Sequence, residues 1–329
     1  MNERPVENKP EKQTENRPKV RFVTITDAHE GQRIDNFLLR ELKGVPKSRI
    51  YRILRKGEVR VNKGRVKPEY KLAIDDVVRV PPVVVAERTA PTSVSDSLTD
   101  LLENAVLYED GALLVVNKPS GLAVHGGSGI SLGLIEALRV IRPQAKFLEL
   151  VHRLDRDTSG CIMVAKKRSM LKYLQNCLRE RQGIVKRYKA LVSGQWPKRC
   201  NMVSAPLLKV SLQSGERMVN VSPEGKKSST QFEVLARYSD ATLLEARPIT
   251  GRTHQIRVHA LHAGCPLLGD EKYGRPEDNR QFKHKGLKRL FLHAASLTFC
   301  LPDTEDSITV EAPLEPSLDR LLQSLKVQP

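Results

Sequence analysis

The 329-residue chain has five cysteines, Cys161, Cys177, Cys200, Cys265 and Cys300, far apart and with no C-x-x-C pair. That usage excludes a disulfide framework and a cysteine-rich zinc site, and it predicts reduced, buried thiols. Aromatic residues are 5 % of the chain, with a single tryptophan, too few for a stacking surface that would bind single strands. Apolar runs are short, such as Ala112–Val116, far below the roughly 20 residues of a bilayer span. Met1-Asn2-Glu3-Arg4-Pro5 lacks the basic-then-apolar pattern of a signal peptide, which predicts a cytoplasmic protein. No phosphate loop G-x-x-x-x-G-K-[ST] occurs, nor a G-x-G-x-x-G after a strand. Gly126-Gly127-Ser128-Gly129 lacks the lysine and the helix context and reads as a flexible loop. Repeats at solenoid spacing are absent too.

Positive charge is what the chain has in excess. Fifty-five Lys and Arg against 38 Asp and Glu leave +17, which points to a polyanionic partner, nucleic acid ahead of an acidic membrane. Hydrophobic residues at 40 % are enough for a sizeable core, and the length predicts two domains. Residues 1–18, with four acidic and four basic residues and three prolines, read as a disordered tail. A compact unit follows over 19–83. Ile34, Phe37, Leu38 and Leu42 form one helical stripe, and a second helix is expected from Ser48, as N-cap, to Gly57. Between Lys47 and Lys67 stand nine basic residues and one acidic residue. Lys47, Arg49, Arg52, Arg55 and Lys56 on the helix, with Lys63 and Arg65 on the hairpin after it, make a continuous patch suited to RNA phosphates. A merely solvated helix face is the plainer alternative. Residues 84–104 read as a linker with one helical turn at its end. From 105 to 329 strand-like runs outnumber helices, predicting an α+β domain with mostly antiparallel pairing.

Two polar clusters in this larger domain can carry chemistry. His152-Arg153-Leu154-Asp155-Arg156-Asp157-Thr158-Ser159-Gly160 lies between apolar runs, so its ionisable groups sit on a loop with rigid flanks. Asp157 is expected to accept loop amides and stabilise a turn, and a turn with an internal ion pair is the structural alternative for the whole stretch. The order of residues and the missing D-F-G reject a kinase catalytic loop. In the second cluster, Thr250 to His259, an extended conformation would set Thr253, Gln255, Arg257 and His259 on one face. If that face were buried, Arg257 would need a carboxylate, and Asp155 is the candidate. An exposed polar face is the alternative. His254, His259 and His262 fit no common zinc spacing, so no metal is expected.

Asn117-Lys118-Pro119-Ser120-Gly121, the His152–Gly160 loop, Tyr188 within Arg-Tyr-x-Ala-x-Val, and Gly251-Arg252-Thr253-His254-Gln255-Ile256-Arg257-Val258-His259 together resemble, in order and spacing, the RluA-type pseudouridine synthases. The basic N-terminal unit resembles the S4 RNA-binding domain. The resemblance implies a small α/β S4 domain joined to a mixed, mostly antiparallel catalytic domain. It also implies isomerisation of uridines in 23S ribosomal RNA, free or in a ribosome assembly intermediate, without a cofactor. The family's catalytic aspartate falls on Asp155, its arginine on Arg257 and its tyrosine on Tyr188. A cation beside a partly buried carboxylate favours the charged, nucleophilic form. Arg153 matches the arginine that helps displace the target nucleotide, and His152, Arg252, His254 and Gln255 are expected around the substrate. Two other readings compete: a non-catalytic RNA-binding or ribosome-assembly factor, and a hydrolase that releases uracil. A monomer is expected, since nothing in the pattern suggests a coiled coil.

Overall fold

The computed structural model describes residues 19–26, 29–42, 44–83, 94–126, 132–211, 217–302, 304 and 306–327. The expected tail 1–18, the linker residues 84–93 and Gly127–Gly129 of the glycine-rich loop lie outside the described residues. The chain divides into two compact units, Met1–Ala90 and Pro91–Pro329.

The smaller unit contains β1 (Arg21–Thr24), α1 (Ile34–Glu41), α2 (Lys47–Arg55), β2 (Arg60–Val61) and β3 (Val77–Val80). Its strands pair antiparallel in the order β1-β3-β2. Ile34, Phe37, Leu38 and Leu42 are buried, joined by Ile50, Ile53 and Leu54 of α2. Burying that stripe turns the other face of α2 outward. Lys47, Arg49, Arg52, Arg55 and Lys56 are exposed there, as are Lys63 and Arg65 on the following hairpin. Pro46 stands at the N-cap position of the helix, two residues before the Ser48 expected there. Proline's fixed φ suits the start of a helix.

The larger unit opens with α3 (Asp96–Glu103), then β4 (Val106–Glu109), β5 (Leu113–Lys118), α4 (Leu134–Ile141), β6 (Glu149–Leu150), β7 (Ser159–Ala165) and α5 (Arg168–Glu180). It continues through β8 (Ile184–Ser193), β9 (Met202–Ser204), β10 (Leu207–Ser211), β11 (Arg217–Val221), β12 (Ser229–Arg237) and β13 (Ala241–Pro248). It ends with α6 (Gln255–His262), α7 (Pro276–His284), β14 (Leu292–Cys300), β15 (Ser307–Glu311) and α8 (Pro316–Ser324). The helix α3 corrects the expectation of a linker up to residue 104. Ser95 Oγ accepts the Leu98 N–H at its start, and Leu102 is buried in the main core, so these residues are part of the larger unit.

Eight strands run β4-β5-β7-β14-β8-β13-β12-β9 across one sheet, with β6 added on β7 and β15 on β14. Every pairing in it is antiparallel except β7 with β14. The sheet's middle is covered on both sides. Along β5 and β7, Leu114, Val116, Ile162 and Val164 enter one core, while Leu113, Val115, Cys161, Met163 and Ala165 enter another against Met170 and Leu174 of α5. Double coverage explains why both strands read as unbroken apolar runs. Among the described residues no helix is long and apolar enough to cross a membrane.

Gly160, on β7 opposite Lys118 and Ala294, has φ +105°, and a Cβ there would overlap the Ala294 carbonyl. Gly160→Ala therefore adds backbone strain and a clash at the parallel β7–β14 seam. We expect a loss of about 3 kcal/mol or more in unfolding free energy, read from denaturant titration.

Candidate active site

Asp155 lies in the loop between β6 and β7, whose conformation is fixed from three sides. Thr158 N–H closes the turn on the Asp155 carbonyl at 3.2 Å. Lys118, fully buried at the end of β5, donates to the carbonyls of Pro119 and Leu122 at 2.8 Å and of Arg156 at 2.9 Å, while burial pushes its pKa down to about 7. Beneath the loop, Arg289 donates to Ser159 Oγ at 2.5 Å, and Ser159 donates to His293 Nδ1 at 2.8 Å. His293 Nε2–H then reaches the Ala312 carbonyl at 3.1 Å, and burial lowers that imidazole to about 4. The Asp157 carboxylate does not stabilise the turn by accepting amides as expected. The residue contributes its backbone carbonyl, which accepts from Ser120 and Arg289, and its half-exposed carboxylate faces Arg156 at 3.8 Å.

The second cluster is helical where an extended segment was expected. Its alternation of polar and apolar residues misleads because Gln255 through Ala260 are all buried, so no amphipathic stripe marks the helix. Helical geometry sends Gln255 and His259, four residues apart, to one side, where both bond Thr230 Oγ1 at 2.9 and 2.8 Å. Arg257 projects to the other side, toward Asp155.

Arg257 is held chiefly by a carboxylate the sequence did not single out. Its Nε and Nη2 donate to the two oxygens of Asp270, each at 2.7 Å, and its Nη1 donates to Asp155 Oδ2 at 3.4 Å. Asp270 is fully buried and also accepts the N–H groups of Lys272 and Tyr273. The Tyr273 ring lies under the guanidinium, 4.9 Å from its centroid. Burial works against charge on Arg257, but the Asp270 hydrogen bonds and the two carboxylate charges outweigh it and raise its pKa.

His254 caps α6 in the left-handed conformation, φ +53°. Tyr273 hydroxyl accepts the Val219 N–H at 3.0 Å and donates to His254 Nδ1 at 2.7 Å, which leaves Nε2–H facing Asp155 Oδ2 at 3.9 Å. Burial, then the cations Arg257 and Lys272, depress this imidazole and keep it neutral against the pull of Asp155. Oδ2 thus takes both contacts of the Asp155 carboxylate, and among the described residues Oδ1 takes none.

Asp155, Tyr188, Arg257, Arg153, Arg252, His254 and Gln255 line one cavity of about 110 Å³. Burial and the Asp155 charge push the Tyr188 hydroxyl up, so it holds its proton at neutral pH. Two residues expected around the substrate are hydrogen-bonded within the fold. The Gln255 amide is consumed inside the fold: Oε1 accepts from Thr250 and from Arg252 N–H, and Nε2 donates to Ser229 and Thr230. His152 is absent from this cavity; its Nε2 accepts the Met163 N–H at 3.3 Å, and burial lowers it to about 3. The histidines weighed as zinc ligands diverge as well, His259 bonding Ser228 and Thr230 while His254 bonds Tyr273.

Removing one partner of a buried ion pair is far costlier than loosening a long, part-exposed contact. Asp270→Asn should lower unfolding free energy by about 3 kcal/mol or more, and Asp155→Asn by less than about 1 kcal/mol, both measurable by denaturant titration. Equal losses would contradict the unequal hold on Arg257.

Residues 112–262 match the family described as RNA pseudouridylate synthase, and residues 32–78 match the S4 domain. A ribosomal large subunit pseudouridine synthase C from Pasteurella multocida is 58 % identical over 94 % of this chain and 95 % of its own. The protein of that name from Escherichia coli strain K12 is 59 % identical over 94 % of this chain and 98 % of its own. Among solved structures, human RNA pseudouridylate synthase domain containing 4 is 30 % identical with a TM-score of 0.59, covering 71 % of this chain and 97 % of its own. By sequence over nearly its whole length and by the fold of its larger unit, this chain belongs to the pseudouridine synthase family, with an S4 domain at its N-terminal side.

Proposed function

We infer that the chain isomerises uridines of large-subunit ribosomal RNA to pseudouridine, with Asp155 as the attacking carboxylate. The observation that carries this reading is the arrangement around Arg257. Asp270 fixes the guanidinium so that one N–H reaches Asp155 Oδ2, leaving Oδ1 to face a substrate in the cavity walled by Tyr188. In the isomerisation the N1–C1′ bond breaks, the uracil turns, C5 joins C1′, and a proton passes from C5 to N1, so nothing is added or lost. A single carboxylate suffices for such a rearrangement. A glycosidase sets two acids about its bond and admits water; here Asp157, the other acid of the loop, has its carboxylate with Arg156, and Leu154 lines the cavity instead.

The base must leave its helix to enter such a cavity, at a cost of about a few kcal/mol. Arg153, which lines the cavity, is suited to displacing it, and Arg252, which also lines it, to holding the nucleotide. His254 acts on Asp155, and Gln255 shapes the turn that presents Arg252. One cavity reads little sequence, so affinity and site choice depend on RNA shape and phosphates. The exposed cations of α2 and its hairpin suit that role, whether the substrate is free RNA or an assembly particle.

Two measurements test this reading. Wild-type protein incubated in EDTA with large-subunit ribosomal RNA transcript should leave mapped pseudouridines, and Asp155→Asn should lower the rate by at least about 10³-fold. Tight binding with no modification by either protein would favour an assembly factor, and free uracil a hydrolase. Reversing Arg49, Arg52 and Arg55 to Glu should weaken RNA binding and reduce the slope of log affinity against log salt by about two to three. An unchanged slope would exclude this patch from the interface.

A further inference from the structure

The Asp155 cavity opens beside a wider groove of about 760 Å³. Six residues line both: Arg153, Lys186, Pro248, Thr250, Gly251 and Arg252. Three of these six are cations, and no carboxylate lines the groove, which continues past Arg179, Arg181 and Arg247.

Lys186 stands apart from the other two cations of the border. It lies on β8 two residues before Tyr188, so the strand's pleat turns both side chains to the cavity face. Protein packs around its ammonium closely enough to push the pKa down, with burial the cause. Yet among the described residues that ammonium has no hydrogen bond and no ion pair. Gly251 leaves the space beside it clear, since even a Cβ at that position would stand 3.9 Å from the nitrogen. A cation set into a wall without its counter-charge is unfavourable until an anion arrives. RNA carries one such anion on either side of every base.

We propose that Lys186, with Arg153 and Arg252, forms a phosphate site at the border between cavity and groove, which takes a phosphodiester flanking the target uridine while the base occupies the cavity. This rests on the RNA-isomerase reading above. Lys186 thereby becomes a positioning residue: it fixes the sugar relative to Asp155 through the phosphate and touches no reacting atom.

The test uses an RNA fragment spanning a uridine mapped with wild-type protein, made with all phosphates or with one uncharged methylphosphonate, placed either 5′ or 3′ of that uridine. With wild type, one of the two placements should lower the single-turnover rate at subsaturating RNA about tenfold. Lys186→Met should lose about tenfold on all-phosphate RNA and nothing further at that placement, and Lys186→Arg should recover most of the loss. Which placement shows this coupling identifies the phosphate. Because methionine fills similar space and removes an unpaired charge, Lys186→Met should melt no lower than wild type. Methylphosphonates costing wild type and Lys186→Met equally at both placements would overturn the proposal, as would a Lys186→Met enzyme that turns over all-phosphate RNA at the wild-type rate. Wild type that leaves all-phosphate RNA unmodified would overturn the isomerase reading itself.

Discussion

A buried guanidinium shared unequally between two carboxylates is the constraint on which the site depends. Arg257 is inside the protein, where an unmatched charge is prohibitively costly, so its partner must be fixed and close. Asp270 supplies that partner with two parallel hydrogen bonds and is itself pinned by the amides of Lys272 and Tyr273. With its position decided by Asp270, Arg257 offers its remaining N–H to Asp155 at a longer distance. The Asp155 carboxylate is therefore oriented by a cation whose own placement does not depend on it. Had Asp155 been the only partner, the guanidinium would have claimed both of its oxygens.

The scaffold beneath repeats the same logic with backbone carbonyls and neutral side chains as partners. Lys118 gathers three carbonyls from two loops, tying Pro119 and Leu122 to Arg156 beside Asp155. Ser159 and His293 cross the parallel β7–β14 seam, and the lowered pKa of His293 keeps its ring a neutral acceptor and donor in a fixed tautomer. Thr230 plays a similar part for α6, accepting from Gln255 and donating to His259. Buried polar networks of this kind are favourable only when every member is satisfied, and these are the places where the polar motif residues spend their hydrogen bonds. Much of the motif thus builds the site.

Charge is partitioned across the larger unit in a way that suits a single bound strand. The cavity holds the carboxylate, matched by Arg257, while cations without a carboxylate beside them in the lining collect at its border, and along the groove Arg247 and Arg179 are paired with glutamates outside its lining. A nucleotide has the same division, with a neutral base and an anionic backbone. Field lines from the groove attract the backbone without bringing a competing cation closer to Asp155 than Arg257 already stands.

Composition pointed to a polyanionic partner and two units, the strand-rich pattern to the α+β class, and the family resemblance carried by the motifs to the grouping of Asp155, Tyr188 and Arg257, because charge excess and motif spacing are properties of the chain itself. The double apolar runs of β5 and β7 were legible for the same reason. What the sequence misrepresented is α6: burial on every side erases the amphipathic signal, and a helix then reads as an alternating strand. Gln255 and His152 were expected around the substrate because they are polar and lie in motifs, whereas only the folded structure shows that backbone and hydroxyl groups engage them. Asp270 could have been sought by asking which acid matches a buried Arg257, but nothing in Leu267-Leu268-Gly269-Asp270 marks it locally. Tertiary structure alone decided that pairing, the border position of Lys186 and the role of Lys118, since each depends on which distant backbone atoms and side chains folding brings within about 3–4 Å of a charged group.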